Sequence, residues 1–255
     1  MKKSAPKMSL QVVTLFPELF APWFQTGILA KACQNGLVNF KLVNPRAWAE
    51  DAHHKVDDYV YGGGPGMLLK PDVLARCVEA SREKGERVIA LHPGGKKLDR
   101  DTLCRLGGYK RLMLICGRYE GFDARFLDSF ADERISIGDY VIMGGEAAAL
   151  VVIEGVVRRL DEVLHDGASV LSDSFEHGLL EEDAYTRPQV FGAQAAPEAL
   201  INGSHARIAA WRRASSIKNT YIYRPELLLH SILDESDQRV LKNTYEELFC
   251  GTGKQ

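Results

Sequence analysis

Short, almost wholly apolar runs recur along the first half of the chain, each separated from the next by a polar stretch of helical character, and this alternation limits the folds open to it. LQVVTLF (10–16), PELFAPWFQTGILAKACQNG (17–36) and LVNFKLVNP (37–45) read as strand, helix and strand. RVIAL (87–91) and LMLIC (112–116) read as two more strands, with the helical LDRDTLCRLGGY (98–109) between them. Strands this short and apolar are buried on both faces, the pattern of β-α-β units around a mostly parallel sheet flanked by helices. AAALVVIEGVVRRL (147–160) predicts a helix with arginines at its C-terminal end, where cations suit the helix dipole. It closes a first α/β domain over 9–160. The polar, Gly- and Ser-containing DEVLHDGASVLSDS (161–174) reads as a linker. A small helical domain over 175–255 follows, strongest in PEALINGSHARIAAWRRAS (197–215) and ESDQRVLKNTYEELF (235–249).

Composition enters mainly to exclude. With 45% hydrophobic and 26% charged residues the chain is an ordinary folded one. MKKSAPKMSL has no apolar run of signal-peptide length and QVVTLF stops at Pro17, so the expectation is a cytoplasmic protein without a membrane partner. The five cysteines are scattered with no C-x-x-C pair, and His53 and His54 point different ways, so no resident metal site is predicted. A net charge of -2 argues against indiscriminate nucleic-acid binding. Locally, 205–224 carries Arg207, Arg212, Arg213, Lys218 and Arg224 with no acid, interleaved with Trp211, Tyr221 and Tyr223. That is either a phosphate-tracking surface or a solvated helix face, and the segment alone favours the latter.

Four glycine-rich loops stand out: YGGGPGM (61–67), HPGGK (92–96), CGRYEGFD (116–123) and IGDYVIMGGE (137–146). The second and third directly follow expected strands. In open α/β sheets ligands sit beyond the carboxyl ends of strands, where glycine lets the backbone approach them, so several such loops imply one shared site. No G-x-x-x-x-G-K-[ST] and no dinucleotide fingerprint is present, which excludes a P-loop nucleotidase and weakens a nicotinamide or flavin oxidoreductase. A conventional Rossmann methyltransferase does not fit either, because the glycine loops fall too late in the chain.

TLFPELF (14–20), YGGGPGM, ICGRYEGFD, SIGDYVIMGGE (136–146), DSFEHGLLEEDAYTRP (173–188), GSHARIAAWR (203–212) and RPELL (224–228) closely resemble, in order, the signature blocks of the bacterial tRNA (guanine-N1)-methyltransferases, the TrmD family of the trefoil-knotted SPOUT superfamily. The resemblance spans nearly the whole chain. It implies an S-adenosyl-L-methionine-dependent enzyme that methylates N1 of the tRNA guanosine 3′ of the anticodon, position 37. It implies a trefoil knot in the C-terminal part of the first domain, which nothing in periodicity reveals, and a homodimer whose cofactor pocket is completed across the interface. Cofactor contacts carried over by motif are Leu91, His92, Pro93, Gly117, Glu120, Ile137, Gly138, Asp139, Tyr140, Val141, Ile142, Gly144 and Gly145. His205, Arg212 and Arg213 fall to the tRNA, and a magnesium ion is implied by the family alone. Three departures touch loop shape: Met143 stands where the family has Thr, HPGG replaces a Ser-Pro start, and Asp183 replaces a Pro before YTRP.

The reaction makes its own demands. Guanine N1 carries a proton and is a poor nucleophile, so methylation there requires a base for that proton and a donor for charge developing on O6. By motif position these are Asp173 and Arg158. Taken without the resemblance, Asp173 reads as a helix N-cap and Arg158 as a surface or helix-dipole cation. The competing functions are a knotted methyltransferase acting on another RNA and a non-enzymatic RNA-binding module.

Overall fold

A computed structural model describes residues 6–164 and 172–250. The chain divides into two compact units, 1–167 and 168–255. The central part of the expected linker, 165–171, lies outside the described residues.

The first unit is built on a five-stranded, wholly parallel sheet. Its strands are β1 (Met8–Val13), β2 (Val38–Val43), β5 (Arg87–Lys97), β6 (Arg111–Cys116) and β7 (Glu133–Ser136), in the order β2-β1-β6-β5-β7. A separate antiparallel hairpin pairs β3 (Asp57–Tyr59) with β4 (Met67–Leu69). The mostly parallel α/β class expected from the apolar runs is the class observed. Side chains alternate between two buried faces, as strand geometry requires. Leu10, Val12, Ile89, Leu91, Leu112 and Leu114 face α2 (Gly27–Gln34), α4 (Arg100–Gly107) and α6 (Gly145–Val157). Val13, Val88, Ala90, Met113 and Ile115 face α3 (Pro71–Ser81) and α5 (Ala124–Phe130). Burial on both faces is why these strands lack polar alternation.

Elements break where local chemistry breaks them. The expected helix over 17–36 is interrupted at Thr26, which is extended, and splits into α1 (Ala21–Gln25) and α2. Gly27 then adopts φ +64, open to glycine without cost. β5 runs further than RVIAL and contains a bulge: Ile135 of β7 is opposite both Leu91 and Lys96, so 92–95 loop out and the strand returns to the same partner. β7 is short and charged, and it had no apolar signature. Glu133 pairs with Arg105 and Arg134 with Asp128.

The second unit, as described, holds a hairpin of two-residue strands, β8 (Val190–Phe191) and β9 (Gln194–Ala195), and the α-helices α7 (Glu198–Asn202), α8 (His205–Tyr223) and α9 (Glu235–Tyr245), with a 3-10 helix at Pro225–His230 and a π-helical turn at Glu246–Cys250. The single helix expected over 197–215 is two, because Gly203 is extended and Ser204 caps α8 by accepting from the Arg207 amide. One polar face of α8 pins the 180–183 segment. Thr220 Oγ1 accepts from Leu180 N at 2.9 Å, Ser215 Oγ accepts from Asp183 N at 2.9 Å, and Asn219 Nδ2 donates to Glu181 O at 3.1 Å.

α8 and α9 are joined by a forked ion pair. Arg213 Nη2 and Nε lie 2.6 and 3.1 Å from the two oxygens of Asp237, whose side chain is 3% exposed. Asp237 also closes a capping box with Asp234. Removing Arg213 strands a nearly buried carboxylate, although Arg213 itself is 42% exposed, so the cost lies between those of a buried and a surface pair. Arg213→Ala should destabilise this unit by about 2 kcal/mol, read as a lower urea midpoint by circular dichroism. Arg212→Ala, whose pair with Glu182 is 60% exposed on the arginine side, should change stability by less than about 0.5 kcal/mol. Equal midpoints for the two variants would show that Asp237 does not need its partner.

Candidate functional site

β5, β6 and β7 are neighbours, and all three point the same way, so the loops leaving their C-terminal ends converge. These are HPGG after Leu91, GRYEGFD after Cys116 and IGDYVIMGGE after Ser136. They enclose a cleft of about 310 Å³ whose wall is mostly apolar side chain and glycine backbone. Of the thirteen residues expected to contact a cofactor, all but Asp139 line it. Asp139 is exposed, and its carboxylate lies 2.9 Å from Lys97 Nζ. Arg118, Tyr119, Phe122, Ser136, Met143 and Ala148 also line the cleft, and sequence reasoning named none of them for it.

Two glycines explain how α6 starts here. Gly145 N donates to Gly117 O at 2.8 Å, and a Cβ on Gly145 would fall 2.7 Å from Cys116 Cα. A Cβ on Gly144, whose backbone is extended, would fall 2.4 Å from Arg118 Nε and 2.6 Å from Glu146 Oε2. The cradle is one that side chains would fill, which suits a ligand held against backbone.

Under the cleft is a buried polar network. Glu146 is 4% exposed, and its Oε1 accepts from Thr14 Oγ1 at 2.8 Å. Its Oε2 lies 2.9 Å from Arg118 Nε, a close ionic contact that is not aligned as a hydrogen bond. The guanidinium carbon of Arg118 sits 4.4 Å from the centre of the Phe16 ring. The network draws together the TLFPELF, GRYEG and MGGE blocks. The β3–β4 hairpin, whose connecting loop is the YGGGPGM glycines, is docked on the same loop: Glu120 N donates to Met67 O at 2.9 Å and Leu69 N to Gly121 O at 3.1 Å. Tyr119, between Arg118 and Glu120, takes a left-handed φ of 58 to make that turn.

His92 stands at the cleft edge. Its Nδ1 accepts from Gly94 N at 3.0 Å, and burial together with the Arg134 charge lowers its pKa. Burial raises the pKa of Cys77 to about 12 and pushes that of Cys116 well above the ordinary thiol value, so both are inert packing thiols. Cys104 is exposed.

The expected catalytic pair is divided between the units. Arg158 is the exposed C-cap of α6 in the first unit. Asp173, partly buried, belongs to the second and opens a series of turns rather than a helix, so it is no helix N-cap. Phe175 at φ 76 and Gly178 at φ 77 fold the loop back, and Phe175 N donates to Leu179 O at 2.7 Å. Asp173, His177, Glu182, Arg212 and Arg213 line a second cleft, of about 380 Å³, within this unit. The basic segment is largely neutralised by its neighbours: Arg212 pairs with Glu182, Arg213 with Asp237, Lys218 with Glu247 and Arg224 with Glu226. His205 and Arg207 are exposed on the first turn of α8. Among the described residues no group of three or more His, Cys, Asp or Glu side chains is disposed to hold a metal, and no helix is long and apolar enough to cross a membrane.

Comparison with known proteins agrees with this geometry. The family described as tRNA (Guanine-1)-methyltransferase TrmD matches residues 8–230. A tRNA (guanine-N(1)-)-methyltransferase from Dehalococcoides mccartyi is 44% identical over 243 residues, 94% of this chain and 98% of its own. A protein of the same name from Proteus mirabilis is 42% identical over 94% of this chain and 97% of its own. Another, from Magnetococcus marinus, is 42% identical over 92% and 95%. The match spans both units and includes every loop of the cleft, so the chain is a methyltransferase belonging to the TrmD family of tRNA (guanine-1)-methyltransferases.

Proposed function

We propose that this chain methylates N1 of guanosine 37 in tRNA with S-adenosyl-L-methionine as donor, in the cytoplasm and as a homodimer. The observation that carries the reading is the cleft at the ends of β5, β6 and β7, lined by twelve of the thirteen residues that the motifs assign to the donor. The first unit is then the donor-binding, knotted domain and the second the tRNA-binding domain. The apolar rim of the cleft supports the dimer: Val141 is 85% exposed and Met143 93%, surface that a second copy would cover.

When bound, S-adenosylmethionine supplies a methyl group already activated on a sulfonium. The chain's own residues hold the guanine and move its proton. Asp173 takes the N1 proton, and Arg158 donates to O6 as negative charge develops there.

The direct test is methylation of a tRNA transcript followed by mapping of the modified base. Modification at any position other than N1 of guanosine 37 would overturn the reading. Asp173→Asn keeps the size of the side chain but cannot accept the proton. It should lower the single-turnover rate by about 100- to 10,000-fold with donor binding unchanged. A variant retaining a tenth of the wild-type rate would return Asp173 to a structural role.

Arg212→Ala should weaken tRNA binding and reduce the salt slope by about one. An unchanged slope would leave α8 as a solvated face.

His92 predicts a pH dependence. Its bond from Gly94 N needs a neutral Nδ1, and its folded pKa lies below the ordinary 6.5. The unfolded chain therefore takes up this proton first as pH drops. The stability and cleft shape that His92 contributes are full above 6.5 and fade as pH falls through the lowered value. Donor affinity should weaken over that range in calorimetric titrations, and His92→Ser should flatten the profile. Parallel profiles for the two proteins would acquit His92.

A further inference from the structure

Arg118 and Glu120 are the charged side chains among the described residues lining the donor cleft, and they stand two apart on one loop. An α-amino acid at neutral pH carries one ammonium and one carboxylate, so a carboxylate and a guanidinium side by side match it in sign and number. Glu120 is among the donor contacts carried over by motif, whereas Arg118 has no assigned task.

The setting of Arg118 is specific. Nε is held by Glu146 Oε2 at 2.9 Å and one face of the guanidinium is covered by Phe16, and among the described residues the terminal nitrogens make one long contact, to Met143 O at 3.5 Å. Glu146 is fixed in turn by Thr14, and Thr14 Oγ1 also accepts from Phe16 N at 3.0 Å. The contacts close a ring from Phe16 through Thr14, Glu146 and Arg118 back to Phe16. Thr14 is 1% exposed and Glu146 4%. A buried ion pair of this kind adds little stability over an apolar replacement, so stability alone does not account for it. Its geometric effect is definite: it fixes Arg118 by one edge and turns the other edge toward the cleft.

We propose that Arg118 receives the carboxylate at the amino-acid end of the methyl donor, and that Glu146 and Thr14 are positioning residues that hold it there. This rests on the reading of the cleft as the S-adenosylmethionine site.

The test compares two probes by calorimetry on the full-length protein: S-adenosylhomocysteine, which carries the amino-acid end, and 5′-methylthioadenosine, which lacks it. Glu146→Gln and Thr14→Val should weaken S-adenosylhomocysteine by about 10- to 100-fold, the loss expected for a misaligned charge-assisted hydrogen bond, and leave 5′-methylthioadenosine within about twofold. Thr14→Ser should restore binding. In turnover, the same variants should raise KM for the donor while kcat at saturation stays near wild type. If Glu146→Gln does not fold, Thr14→Val carries the comparison, since it removes one hydroxyl and no charge. Wild-type protein that binds neither probe would remove the donor reading and this proposal with it. Wild-type protein that binds both, with variants that weaken both equally or neither, would overturn the proposal alone.

Discussion

The contact on which the site depends is the first turn of α6 pressed against the end of β6. Gly145 N reaches Gly117 O at 2.8 Å, and no residue with a Cβ fits between that turn and the Cys116 backbone. This approach brings the IGDYVIMGGE loop beside GRYEG and sets Glu146 under Arg118. HPGG, on the strand between them, completes the wall. The hairpin with the YGGGPGM loop joins through Glu120 and Gly121. Separate these two backbones by the width of a methyl group and the cleft loses its floor.

The second unit solves a different problem. Its longest helix, α8, carries a dense run of cations, and acids from elsewhere in the unit meet them: Glu182, Asp237, Glu247 and Glu226. Some of this charge is therefore structural. Arg213 belongs to the packing of α8 on α9, while Arg212 and Arg207 remain at the surface. The polar side chains of α8 that do not face solvent hold the segment following the Asp173 loop. One helix thus serves as a scaffold for that loop and presents cations outward.

Much of the fold was legible because β1, β5 and β6 are buried on both faces and announce themselves as apolar runs, while β2, at the sheet edge with Asn39 and Lys41 exposed, was still marked by the apolar residues around them. β7 did not, because a four-residue strand at the sheet edge can carry Glu133 and Arg134 once Arg105 and Asp128 pair with them. The breaks at Thr26 and Gly203 follow from local backbone conformation, which periodicity cannot register. For the cleft, the glycine loops were visible and the motif blocks named most of the wall. The Thr14–Glu146–Arg118 network was not, since its partners stand up to 132 positions apart and no spacing along the chain reveals such a contact.

The bulge in β5 has its own effect on how the cleft can vary. Leu91 and Lys96 both register with Ile135, so the four residues between them are tethered at each end to the same point on β7. Gly95 lies so close to the backbone of Arg134 and Ile135 that the return path is fixed. Residues 92–95 therefore form an insulated panel in the wall: their chemistry can change while the sheet on either side keeps its register. A side chain such as His92 can then set what a ligand touches without altering where the wall stands.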